Sequence, residues 1–577
     1  MLLRYATGVL IAVLITGCGS RASIDPAISE QGAGLPSIAE LDGIKGVSWL
    51  TNGYVPPAGP IAQENSWPEY STQGAARRFD QTQFSWAIYR LENTGSVMPT
   101  VQAEGIGDFW LLAADYEAGC WAGAVQKTVD EVQLDLGTLD YPLSPGGFLY
   151  IAILGDYQEN ARLDVLFVFK DIPEDPGENY YYVDHWGDDF HAGTAEQPWR
   201  TLQHAADIVE PGDTVIVRSD PVYNFSGFDL RVTGTVTEPV IFQAEPGVTI
   251  SSSNPVTADG INIENSSYVQ IYGFTVNGVE RAGIRVAESD NIAIIGCRVR
   301  HNEMWGIFSG FTDYLRIEQC ECVHSLQQHG IYVSNSGDYP IIRRNVVCGN
   351  LGCGIHMNGD ISMGGDGVIS EAMVDANIIF QNGTIGGSAI NCDGVQDSVI
   401  VNNLVFENMA NGIALFQLDG GEPSTGNLVI NNTVIMPVGS YWAMNAVLNS
   451  TGNSVFNNIF LHLGGYNGSM HIDPGCLPGF VGDYNVVMDR FTDDDGQTVY
   501  TLSEWQTLTG QEANSIVATP AELFGVEHAD LNDFHLLDGC PAMDNGTATD
   551  APPLDVEGNQ RPQGAADDIG AYEYTEW

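Results

Sequence analysis

Gly283-Ile284-Arg285-Val286, Gly306-Ile307-Phe308-Ser309, Gly330-Ile331-Tyr332-Val333 and Gly354-Ile355-His356-Met357 repeat one phrase along the chain. A small residue is followed by isoleucine, a variable position and a mostly apolar one. The same isoleucine recurs at Ile261, Ile390 and Ile413, with successive steps of 23, 23, 24, 24, 35 and 23 residues. A near-constant period in this range marks a stack of coils, each burying its isoleucine at the same inward spot. The phrase predicts an all-β parallel solenoid in which strand residues alternate between core and surface.

That alternation decides where chemistry can sit. With isoleucine inward, the next residue points out, and so does the one two further on. The first outward row reads Asn262, Arg285, Phe308, Tyr332, His356, Asn391 and Ala414. The second includes Ser334, Asn358 and Asp393, and His329 precedes the Gly330 phrase. Tyr332, His356 and Asn391 are therefore expected side by side on adjacent coils. Trp305 and Phe308 lie next to them as glycan-stacking candidates. The long step, 354 to 389, places its extra residues between Asp360 and Asp375, where an inserted loop would wall a groove. A second column, Asn345, Asn377, Asn403, Asn432, Asn458 and Asn485, precedes apolar pairs and predicts asparagines stacked at a bend to satisfy buried backbone groups.

The 577 residues carry a formal charge of −53. The three lysines, Lys45, Lys127 and Lys170, all precede the coils. Such a surface excludes nucleic acid, whose binding needs basic residues to release counterions. Solubility in a salty medium or neutralisation by bound divalent cations would account for the charge. Arg4, the apolar run Val9 to Ile15 and Ile15-Thr16-Gly17-Cys18 predict a signal peptide over 1–17 ending in a bacterial lipobox, with Cys18 lipidated. No Asp stands at residue 19, which by resemblance to known lipoprotein sorting implies the outer membrane or surface if the cell is Gram-negative. Membrane contact is then expected through the lipid alone, and a monomer is expected. Residues 18–43 read as a tether, 44–172 as a β-sandwich-like domain, 173–179 as an acidic proline-bearing linker, and 180–577 as the solenoid. Residues 198–209 predict an amphipathic helix covering its first coil. Cys476 and Cys540 are a candidate disulfide, although pairing cannot be read from spacing.

Asp188, Gly193-Thr194, Pro198-Trp199-Arg200-Thr201-Leu202 and Pro211-Gly212-Asp213-Thr214-Val215 resemble the entry segment of right-handed parallel β-helix proteins of the pectin-lyase-like superfamily. Asp533-Phe534-His535-Leu536, Pro541-Ala542-Met543-Asp544, Gly558-Asn559-Gln560-Arg561-Pro562 and Asp568-Ile569-Gly570-Ala571-Tyr572-Glu573 resemble the closing segment of surface proteins with this fold. Together these cover roughly 390 residues. The resemblance implies a right-handed parallel β-helix and a polysaccharide partner. Members include lyases, hydrolases and uronan epimerases, along with proteins of no known activity.

Three chemistries fit the outward cluster. In the first, His356 or His329 is general acid or base, helped by Tyr332 with Asp360 or Asp393, in elimination or epimerisation of a uronate. Asn358, Asn391, Ser334 and Arg285 would bind substrate, and Asp338, Asp360 and Asp366 would hold Ca²⁺. The coils contain no lysine, which excludes the lysine base common among related lyases. In the second, paired aspartates hydrolyse a glycosidic bond. Asn391-Cys392-Asp393-Gly394 faintly resembles a polygalacturonase motif, but its His-Gly element (His329-Gly330) comes before it instead of after. In the third, the face binds glycan without turnover. No Gly-x-Ser-x-Gly or His-Glu-x-x-His element is present.

Overall fold

The computed structural model describes residues 179–577, apart from 221, 526–533 and 576–577, together with the strands between Trp49 and Phe169. The expected signal peptide, Cys18 lipidation site and tether lie outside the described residues. The early strands form a six-stranded and a four-stranded sheet, dominated by antiparallel pairs such as Phe84–Glu92 with Phe148–Asp156. Among the described residues no helix is long and apolar enough to cross a membrane.

From Tyr180 onward the chain is a parallel β-helix with three faces. On the first face, Ile261, Ile284, Ile307, Ile331, Ile355, Ile390 and Ile413 are in register from coil to coil. The column continues as Met444, Met470 and Phe491. All ten are fully buried, and burying each such side chain contributes roughly 1.5–3 kcal/mol. The second face stacks Ile294, Ile317, Ile342, Val374 and Ile400. The third, a separate twelve-stranded sheet, stacks Val299, Cys322, Val347, Ile379 and Val405. The three columns meet in one apolar core.

Corners explain the polar columns. Between the second and third faces, Arg344, Ala376, Asn402, Asn431, Asn457 and Tyr484 take left-handed φ of 53–56°. Each precedes one asparagine of the predicted column. That asparagine holds the strained corner. Asn403, for example, donates to the carbonyls of Val374 (2.8 Å) and Val401 (3.0 Å) and to Asn432 Oδ1 (2.9 Å). Its own Oδ1 accepts the Asn377 backbone N–H and side-chain amide. A second column, Asn350, Asn382 and Asn408, does the same at the next corner.

The helix Leu202–Ile208 buries Leu202, Ala205 and Ala206 and packs against the strand Phe228–Leu230. In the closing segment, Leu554, Asp568 and Gly570 offer carbonyls to the amides of Asn402 and Asn431. Arg561 there forms a buried pair with Glu573 at 2.7 Å. The candidate disulfide is corrected: Cys476 and Cys540 are free thiols, as is the inward Cys392. The long coil spends its extra residues on a loop, Gly359–Val368, that carries the 3₁₀ turn Ile361–Met363. This loop folds over the strand ends and bonds to the turn 417–421, Ile361 N–H to the Asp419 carbonyl (3.0 Å) and Gly421 N–H to that of Gly367 (2.7 Å).

Candidate functional site

The predicted row is assembled. Tyr332, His356 and Asn391 are direct lateral neighbours in register. The rings of Tyr332 and His356 stack, with centroids 4.9 Å apart and planes 19° from parallel. His329 meets the edge of both rings at about 5 Å, 4.7 Å from His356 and 5.1 Å from Tyr332. Phe308 and Trp305 extend the aromatic surface on the preceding coil, centred 5.5 and 5.9 Å from Tyr332. All five are half-buried.

The hydrogen bonds fix where the protons sit. The backbone N–H of Cys353 donates to Nδ1 of His329 at 2.9 Å. A backbone amide can only donate, so Nδ1 of His329 is unprotonated. Burial lowers the His329 pKa to about 4, so at neutral pH the ring is uncharged and carries its proton on Nε2. That proton points at Nδ1 of His356, 3.3 Å away. His356 must then accept there and carry its own proton on Nε2. Burial, followed by repulsion from His329, holds the His356 pKa well below the ordinary range. His356 is thus a neutral N–H donor with its free side outward. Its use as a base at Nε2 would force His329 to place a proton against the Cys353 amide. His329 reaches outward through His356 and is a positioning residue.

Tyr332 supplies a second donor. Its oxygen accepts from Asn358 Nδ2 at 3.2 Å, leaving the O–H proton for a ligand. Burial raises its pKa first, and the charges of Asp360 and Asp419 add to the shift. Asn358 also accepts from the Asp360 backbone N–H at 3.3 Å, so it links Tyr332 to the inserted loop instead of facing substrate. Asp360, in left-handed backbone with φ 34°, caps the 3₁₀ turn through Oδ1. Its second oxygen has no partner among the described residues.

Other expected residues have different roles. Asp393 is buried and accepts three backbone N–H groups, from Leu418 (2.7 Å), Asp419 (2.8 Å) and Gly420 (3.0 Å). Its carboxylate is consumed in shaping the turn that carries Asp419, which removes it from the catalytic set. Ser334 is buried and donates to the Ser309 carbonyl at 2.9 Å. Arg285 lies two coils before Tyr332, bound to Asn262 (2.7 Å) and Glu264 (3.4 Å). Asn391 stays beside His356, nearly buried. Asp419 is a residue the sequence reading missed. Its turn belongs to no repeat, and only the folded loop brings it near Tyr332.

The metal expectation meets the same accounting. Asp338 accepts the Ser370 N–H at 2.7 Å and Asp366 the Val368 N–H at 3.0 Å, as Asp360 does within its turn. Asp360 and Asp366 close their own turns, whereas Asp338 ties its coil to the next one and lies near enough to Asp366 to feel its charge. Among the described residues the three do not converge on one point, so no step is assigned to Ca²⁺. Among the described residues, His329, Cys353 and His356 are the group whose ligand atoms converge, within 4.8 Å. Ligation by His329 Nε2 would need the proton moved to Nδ1, against the Cys353 amide. Burial also pushes the Cys353 thiol up to about 12. The trio as built is a proton-fixing relay.

Comparison with known proteins adds the following. Residues 181–338 match the family model described as Pel9A-like, right handed beta helix region. The uncharacterized protein YwoF of Bacillus subtilis (strain 168) is 27% identical over 133 residues, 22% of this chain and 28% of that protein. The chain thus spans less than a third of the curated relative it matches. A crystal structure of pectate lyase Pel9A is similar at TM-score 0.48 and 14% identity, covering 69% of this chain and 97% of that one. A rhamnogalacturonan lyase follows at TM-score 0.42 and 14% identity, covering 63% and 94%. The coiled unit is a right-handed parallel β-helix, and its residues 181–338 are similar to the Pel9A-like form of that fold.

Proposed function

We propose that the Tyr332–His356 face acts on a polysaccharide, moving a proton beside the carboxyl group of a uronate ring as a lyase or epimerase. The lipobox reading of Cys18 adds anchoring at the cell surface. The observation that carries the reading is the pair of neutral donors, His356 Nε2–H and Tyr332 O–H, stacked at 4.9 Å with both protons unspent.

Removing the C5 proton of a uronate makes an enolate, and donors fixed where that charge develops lower the barrier. His356 N–H and Asn391 would receive the carboxyl oxygens. Asp360, with its free oxygen, would take the C5 proton. In elimination the C4–O bond breaks, its electron pair leaves with the oxygen, and Tyr332 protonates that oxygen. In epimerisation the C4–O bond stays intact and Tyr332 O–H delivers a proton to C5 from the opposite face, Asp360 keeping the one it took. Neutral donors suit a site where Asp360 and Asp419 already place negative charge. That same observation favours a second reading, in which Asp360 and Asp419 hydrolyse the bond of an uncharged sugar by general acid and base.

The test is to incubate the protein with a panel of uronate polymers, with and without Ca²⁺, following the absorbance of unsaturated uronate and counting reducing ends. Rising absorbance that His356→Ala abolishes supports elimination. Reducing ends without absorbance move the chemistry to the aspartates. Silence in both, together with no proton exchange at C5 by NMR, would leave a glycan-binding surface protein.

A further inference from the structure

The bend between the first and second faces places one left-handed residue per coil at the same spot. These are Tyr268, Asn291, Tyr314 and Tyr339, with φ of 53, 53, 54 and 58°. Later coils use Glu371, Asp397 and then glycines at this position. Left-handed backbone costs an ordinary residue roughly 1–2 kcal/mol, a cost that Gly escapes and Asn or Asp offset locally. Tyrosine on three of the first four coils is therefore not explained by the bend.

Because the backbone repeats, the side chains leave in parallel. Tyr314 and Tyr339 stack with centroids 4.8 Å apart and planes 5° from parallel, which is the coil spacing itself. Both are exposed, 49% and 44%. One coil back, Asn291 stands where the next ring would be, with its amide turned to Asp290 at 2.8 Å. Tyr268 follows, two coils from Tyr314 and so roughly 10 Å away. The interval leaves room for one ring between two tyrosines. The interval is part of a groove of about 290 Å³ that runs across the coils from Pro239 to Tyr339, with Tyr268, Asn291, Tyr314 and Arg316 along it.

We propose that this slot is a second glycan-binding site, taking one uronate pyranose ring between Tyr268 and Tyr314, on a different face from His356. The C–H faces of a pyranose suit aromatic rings, and its edge carries the polar groups. Those groups have partners here. Gln270 accepts the Tyr272 hydroxyl at 2.7 Å through Oε1, leaving its NH₂ free to donate. Arg316, the cation lining the groove, spends Nε and Nη2 on Glu318 and keeps Nη1 to donate to a ligand. A guanidinium bonds a ring carboxylate more strongly than a hydroxyl, which favours an acidic ring over a neutral one.

The test is calorimetric titration of the full chain with galacturonate and mannuronate hexasaccharides and their carboxyl-reduced forms. At least one acidic hexasaccharide is expected to bind and its reduced form to bind at least tenfold more weakly. Tyr268→Ala and Tyr314→Ala should each weaken binding tenfold or more. His356→Ala, which removes turnover at the proposed active face, should leave the slot's binding event in place. In that background Asn291→Tyr should remove this one event from the stoichiometry, filling the slot with a residue that the same backbone position already accepts on neighbouring coils, at an unchanged Tm. A titration that Asn291→Tyr leaves unchanged in stoichiometry and affinity overturns the proposal, as does no binding of either acidic hexasaccharide. Equal affinity for the reduced form overturns the uronate assignment.

Discussion

The asparagine column at one corner and the Tyr332–His356 row on the neighbouring face are both polar stacks repeated once per coil. They differ in what remains when hydrogen bonds are counted. Asn403 has both amide protons and its oxygen committed in five hydrogen bonds to four residues, three of them on adjoining coils. In the Tyr332–His356 row the inner atoms are committed, through Cys353, His329 and Asn358, while His356 Nε2–H and Tyr332 O–H are left facing out. A polar column with nothing left over holds the fold, whereas one with donors left over and fixed in orientation offers chemistry. Substitutions in the two places should therefore fail differently.

The largest effect is expected at the corner. Asn403→Leu removes the shared acceptor of the Asn377 backbone N–H and side-chain amide, together with one donor to the carbonyls of Val374 and Val401, the latter of which keeps the Ala376 N–H. Each buried donor left unpaired costs roughly 1–3 kcal/mol, so the expected loss is at least about 2 kcal/mol in chemical denaturation, with ligand binding by the remaining folded fraction unchanged. A loss under about 1 kcal/mol would mean that the column is ornamental.

His356→Ala is the converse. Stability should change little, while turnover should fall by roughly a hundredfold, the usual cost of removing one fixed donor at developing charge. His356→Gln, which keeps a neutral N–H, should recover part of the loss. If His356 works as a neutral donor, the wild-type rate should also show no inflection near pH 6.5. A rate that falls through that pH would show a protonating histidine and refute the proton assignment.

His329 tests the relay through stability. Its folded pKa of about 4 lies below the ordinary 6.5, so as pH falls the unfolded chain takes up this proton first. Stability from this residue is complete above pH 6.5 and is lost as pH drops toward 4. The full difference is about 3 kcal/mol. Buried Glu512, raised to about 7, and Asp555 and Asp568, raised to about 6, act in the opposite sense, gaining stability as pH falls. The measurement is therefore the difference between wild type and His329→Asn across pH 7 to 4, where the wild type should lose more. Parallel curves would mean that His329 is not buried and neutral.

The same comparison shows what could be read from residue order. The isoleucine ladder was legible because the period survives seven coils unbroken except for one insertion. It faded where Met444, Met470 and Phe491 fill the same slot, since volume and not identity is what the core requires. The outward row followed from strand alternation. Saturation of hydrogen bonds did not. By spacing, Asp393 and Ser334 are equivalent to Asn358, and only the return of the turn 417–421 shows that Asp393 is spent on three backbone amides. Asp419 rides on that aperiodic turn and carries no signal of its own. Likewise the asparagines at 350, 382 and 408 share the spacing of the first column, but their role depends on corners whose left-handed residues vary in identity.

Arg285 is where the smallest effect is expected, and it probes the reach of the active face. Sequence spacing placed it in the same outward row, yet its guanidinium is committed to Asn262 and Glu264, two coils from Tyr332. Both partners of this pair are only about a fifth exposed, 20% and 22%, and a hydrogen bond to a charged group in such a setting contributes roughly 1.5–3 kcal/mol. Arg285→Ala should therefore lower stability by about 1–2 kcal/mol and leave turnover within twofold. If turnover instead fell tenfold with an unchanged KM at saturating polymer, the chemistry would have to include a cation supplied from two coils away. The proposed reliance on the neutral donors of His356 and Tyr332 would then give way to a longer site running along the helix axis.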